Sequence, residues 1–114
     1  MNEIFAQGDL LIERVADILP SGTAIQPMPD GAVVLAEGEA TGHRHAIFDT
    51  VTMFRDDGLA RDIPDGLYIG HVRVVGHSAR VQHDEHAPID LPKGTWRVRR
   101  QREFQPKDVR IVSD

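Results

Sequence analysis

Residues 67–75 read LYIGHVRVV and residues 95–99 read TWRVR. Within Gly70–Val74, Val72 and Val74 fall on one side of an extended chain, and His71 and Arg73 on the other. In the second stretch Trp96 and Val98 face one way, Arg97 and Arg99 the other. Side chains alternate across a strand with a period of two, so both stretches read as half-buried β-strands.

Working outward, similar runs recur at short intervals. Leu10–Val15 (LLIERV), Ala32–Ala36 (AVVLA), Ala46–Phe48, Val51–Arg55 (VTMFR), Ala79–His83 (ARVQH) and Val109–Val112 are further candidate strands. Turn signals separate them: Pro29-Asp30-Gly31, Asp57-Gly58, Pro64-Asp65-Gly66 and Pro92-Lys93-Gly94. Ten Gly and seven Pro leave little room for helices; the one modest candidate is Glu13–Leu19, ended by Pro20. The expected fold is all-β, a small barrel or sandwich, with a cupin-like barrel among the options. Leu10, Ile12, Val34, Ile47, Phe48, Val72, Val74, Trp96, Val98 and Ile111 are the expected core.

A chain of 114 residues suits a single domain, 1–114. It has no Cys, which excludes disulfides, thiolate metal sites and cysteine nucleophiles. No apolar run approaches a membrane span, and the N-terminus lacks a basic region before its short apolar run. The expectation is a cytoplasmic protein away from membranes. Open sheet edges in so small a domain suggest a homo-oligomer. Residues 1–92 carry 6 Arg against 15 acids, and residues 93–114 carry 7 basic residues against 3 acids. The basic end holds Arg97, Arg99, Arg100 and Arg102. The ordinary reading is a solvated stripe neutralised by the acidic body. With a pI near 5.6 and few stacking aromatics, nucleic acid is not the expected partner.

Four of the six His fall in two tight clusters, His43-Arg44-His45 and His83-Asp84-Glu85-His86. On an extended chain His43 and His45 project from one face, so two imidazoles one pleat apart can bind one ion. Asp49 follows on the same face, and Glu37 and Glu39 lie just before. His83 would end a strand and His86 would lie in the turn after it. Imidazole and carboxylate donors without thiolate suit Zn, Fe, Mn or Ni. The candidate metal ligands are therefore His43, His45, His83 and His86. Such binding needs neutral rings, so affinity should fall below roughly pH 6.5, the ordinary His value. Neither His43 nor His45 lies on an expected core position, so both should be removable without loss of the fold. His71 and His77 are isolated and read as ordinary structural histidines. The serines lack a nucleophile elbow, and no phosphate-binding, dinucleotide or calcium loop is present.

Two resemblances follow from these residues. The order His43, His45, Asp49 resembles the first motif of cupins, with Asp in place of the usual Glu. Pro92-Lys93-Gly94 resembles part of their second motif, but Arg97 stands where a His would follow, so His83 or His86 would have to supply the last ligand. The segments QGDLLIERV, VVLAEGEATGHRHAI and HDEHAPIDLPKGTWRVRRQREF look like a group of small bacterial and phage proteins of unknown function. Those carry similar GHxH, HxEH and LPxGxYxVxxQREY stretches. This resemblance implies that the two His clusters belong to one pattern and names no reaction.

Two functional expectations result. One is a divalent-metal-binding β-protein of unknown small-molecule substrate, with Glu37, Glu39 or Glu85 available as general base. The alternative is a non-catalytic interaction module without metal.

Overall fold

A computed structural model of the chain describes residues 3–37 and 43–101. Eight strands form one antiparallel sheet: β1 (Ile4–Gln7), β2 (Leu10–Val15), β3 (Thr23–Ile25), β4 (Val33–Glu37), β5 (Arg44–Ile47), β6 (Thr52–Arg55), β7 (Tyr68–Gln82) and β8 (Ile89–Arg100). The only helical element among the described residues is a 3-10 turn at Asp57–Leu59. The main path runs β1-β2-β8-β7-β5-β4, and β3 joins through β6, which pairs with β7. The all-β class holds. The sheet is not closed into a barrel, as a cupin-like fold would require; the path ends at β1 and β4.

The long β7–β8 pair is the spine. Its register shifts between Val74 and Ser78, opposite Gly94, whose φ is 143°. On its outer side β7 also changes partner: Met53 of β6 pairs with Val72, whereas Ala46 and Ile47 of β5 pair with Gln82 and Val81. Two expected strands, Leu67–Val75 and Ala79–His83, are thus one strand continued through the bulge. The Pro92-Lys93-Gly94 signal is also absorbed into a strand. Pro92 pairs with Ser78, and its carbonyl accepts the Trp96 indole N–H at 2.9 Å.

The core forms on one side of this sheet. Leu10, Ile12, Leu35, Ile47, Val72, Val74, Val81, Leu91, Trp96 and Val98 are all buried in it. Two core assignments change. Val33 and Leu35 point inward rather than Val34, and a bulge between Val34 and Ala36 turns Ala36 inward as well. Phe48 lies past the end of β5 and is 51% exposed. Ile111 and the Val109–Val112 strand lie outside the described residues. The helix expected at Glu13–Leu19 does not form. Glu13, Arg14 and Val15 continue β2, paired with Arg97, Trp96 and Thr95 of β8, so sheet pairing overrides a short local preference.

Two arginines of the basic stripe are paired with acids, whereas Arg99 reaches only a backbone carbonyl. Arg97 bonds Glu13 and Asp62, and Arg100 bonds Asp9 at 2.6 Å. No helix among the described residues is long and apolar enough to cross a membrane.

Candidate metal centre

The β1–β2 hairpin turns in two residues, Gly8 and Asp9, between the paired Gln7 and Leu10. Gly8 takes φ 61°, and among the described residues none other than Gly has positive φ, so Asp9 does not, as a type II′ turn requires. The turn packs on the histidines. A Cβ on Gly8 would lie 2.9 Å from His86 Nε2 and 3.2 Å from His45 Cε1. Gln101, just past β8, clamps the same turn: its N–H donates to Asp9 O at 2.7 Å and its side-chain amide to Gly8 O at 3.1 Å.

The two His clusters come together beside this turn. Ring centres lie 5.9 Å apart for His43 and His83, 4.4 Å for His45 and His83, 4.7 Å for His83 and His86, and 6.3 Å for His45 and His86. Imidazoles that share one tetrahedral ion, each bonded at roughly 2.0–2.1 Å, have ring centres about 5 Å apart. Ring spacing of the right order is therefore in place. Donor atoms are not yet convergent: among the described residues no three His, Asp or Glu groups are arranged to hold an ion.

His45 is buried, on β5, and Gln7 fixes its protonation. The Gln7 amide nitrogen donates to Val81 O at 3.1 Å and to Ala87 O at 2.9 Å, which uses both its hydrogens. Its Oε1, 2.8 Å from His45 Nδ1, must then accept the ring proton there. In the neutral ring this leaves the Nε2 lone pair free, the tautomer a metal ligand needs. Burial, and then the neighbouring His83, pushes the His45 pKa down to about 4, so the ring is neutral at ordinary pH. The Asp9 carboxylate lies 3.8 Å from His45 Nε2 and opposes that shift.

His83 is half-buried and its Nδ1 accepts the Glu85 backbone N–H at 3.1 Å. Its neutral ring therefore carries the proton on Nε2, and ligation by His83 requires this turn contact to break. His86 is exposed. His43 faces Glu85, with Nδ1 3.6 Å from the carboxylate, and Asp84 at 4.0 Å.

Other expected participants lie elsewhere. Asp49 is committed to the Arg80 backbone N–H at 2.7 Å. Glu37 is exposed at the end of β4, and Glu39 lies outside the described residues. His77 is exposed. His71, expected on a polar face, is buried against Phe54 and Tyr68, and Tyr68 in turn packs with Ala60 and Ile63. The His71 Nδ1 lies 2.7 Å from the Tyr68 hydroxyl, in hydrogen-bond contact, and burial lowers the ring's pKa to about 4. His45 is 2% exposed and bonded to a buried Gln, so its removal would not leave the fold untouched. Gln7 and Asp9 belong to the site but carry no pattern in the sequence. Their one signal is the Gly8-Asp9 turn between two apolar strands.

The fold and site define an all-β domain with a histidine cluster gathered against a hairpin turn at one end of its longest strand. The chain belongs to the family described as a domain of unknown function (DUF8820), whose model matches residues 6–101. That span contains Gln7, Asp9, all four clustered histidines and Gln101. No curated protein and no solved structure matches the chain.

Proposed function

We propose that the protein binds one divalent transition metal through the cluster of His43, His45, His83 and His86. The observation that carries this reading is the Gln7–His45 pair, a buried amide that holds an imidazole with its outer lone pair free beside two further rings. Zn, Fe, Mn or Ni suits such a donor set. The metal would polarise a substrate oxygen or activate water, and Glu85, 3.6 Å from His43, is the acid–base group at hand. The same reading has the protein acting in the cytoplasm as a homo-oligomer, a partner copy covering the open edges at β1 or β4.

Metal content of tag-free protein tests it. Stoichiometric metal is expected, with loss in a His43→Ala/His86→Ala double variant. That pair spares buried His45. A metal-free protein whose melting temperature ignores added Zn, Ni, Mn or Fe would overturn the reading in favour of a metal-free interaction module.

A further inference from the structure

The Asp9 carboxylate is held at one oxygen and free at the other. Oδ2 accepts from Arg100 at 2.6 Å, and Oδ1 points at His45 Nε2 from 3.8 Å. The two atoms are the free lone pair of a neutral imidazole and the free oxygen of a carboxylate. Nothing in the core needs this pairing, since Asp9 is 58% exposed and the His45 ring is already satisfied at Nδ1. Nitrogen and oxygen donors on one ion at roughly 2.0–2.2 Å sit about 3–3.5 Å apart. The observed separation exceeds that by a few tenths of an ångström. His86 borders the same spot across Gly8, where a side chain would collide with its Nε2.

We propose that Asp9 is an oxygen ligand of the ion, paired with His45 and His86, and that Arg100 positions its carboxylate. This rests on the metal-binding reading above. A carboxylate in the ligand set makes the site a nitrogen–oxygen one suited to Zn, Fe(II) or Mn(II) rather than a soft-metal site. It also cancels one of the ion's two charges. Arg100 acts as the outer partner that such ligating carboxylates commonly have.

The test is titration of the full, tag-free chain with Zn alone, and with Co(II) for its visible absorption. Asp9→Asn should weaken Zn binding by about 10–100-fold and move the Co(II) bands, and Asp9→Glu should restore both. Arg100→Gln should weaken binding with the Co(II) bands in place, because the ligand atoms are unchanged. Circular dichroism of each variant checks the fold, and Asp9→Glu keeps the test decisive if Asp9→Asn unfolds. Wild-type affinity in Asp9→Asn, with metal lost in His86→Ala, would overturn the Asp9 assignment and leave the histidine site standing. Weakened binding in Asp9→Asn with unmoved Co(II) bands would also overturn it, making Asp9 only a brace of the turn. No binding by the wild type would overturn both readings.

Discussion

Gln7 Oε1 and His45 Nδ1 lie 2.8 Å apart across 38 positions of chain, and the amide that reaches His45 also ties down Val81 and Ala87. One side chain thereby joins β1, β5, β7 and the turn that carries His86.

Replacing Gln7 with Leu would take the partner from the buried His45 ring N–H and Val81 carbonyl, whereas the Ala87 carbonyl belongs to an exposed residue. Each buried group left unpaired costs roughly 1–3 kcal/mol, so a loss of about 2–4 kcal/mol is expected after partial relaxation. Urea unfolding measures it. A loss below about 1 kcal/mol would show that water replaces the amide.

Gly8→Ala and Gly66→Ala form a matched pair. Both glycines have positive φ, at 61° and 84°, but a Cβ on Gly66 meets nothing within 4 Å. Left-handed backbone costs a non-Gly residue roughly 1–2 kcal/mol. Gly66→Ala should show that cost alone, whereas Gly8→Ala should exceed it and shift the His86 and His45 ring resonances in NMR spectra. Equal losses and unmoved resonances would mean that the turn does not press on the rings.

Acid should weaken the fold through His71 and His45. Both are held near pKa 4 by burial, below the ordinary value of 6.5. The unfolded chain therefore binds more protons than the native one between these values, and stability rises with pH across that window. The contribution is complete above about pH 6.5 and lost as pH falls towards 4, up to about 3 kcal/mol per residue. His71→Gln should flatten the curve of stability against pH over this range. An unchanged slope would place the acid sensitivity in other groups.

Trp96 is fully buried, with Phe5 at 5.5 Å between ring centres and the Arg14 guanidinium 4.5 Å above its ring. Truncation to Ala should cost roughly 3–5 kcal/mol. Arg14→Ala should cost about 0.5–2 kcal/mol, the range of a cation over an aromatic face. Thermal unfolding of the two variants tests the order of these losses.

Strands with strict alternation were legible from sequence. Leu10–Val15 is β2 to the residue, and Val72, Val74, Trp96 and Val98 face the core as read. Errors arose where one residue changed the phase. The bulge after Val34 turns consecutive residues inward, and no local pattern announces it. Pro92-Lys93-Gly94 reads as a break, yet the antiparallel pair absorbs it, because β7 bulges between Val74 and Ser78 and the ladder resumes beyond. The short β1 and β3 gave no periodic signal at all. In the site, the imidazoles stood out by composition. Gln7 and Asp9 did not, since a buried amide and a turn carboxylate gain their roles only from distant partners. His71 shows the limit of reading polarity as exposure, because Phe54 and Tyr68 pack against its ring.

The pairing of β2 with β8, Leu10 opposite Arg100, has a consequence during synthesis. Translation runs from the N-terminus at roughly 5–20 residues per second, so β2 emerges many seconds before the strand that completes its ladder. Until then LLIERV has only the short β1 beside it and shows an unpaired edge to the cell. The hairpin turn holding Gly8 and Asp9 also lacks its Gln101 clamp over that interval. Assembly of the sheet, and of the histidine cluster with it, must therefore wait until β8 and Gln101 have been made.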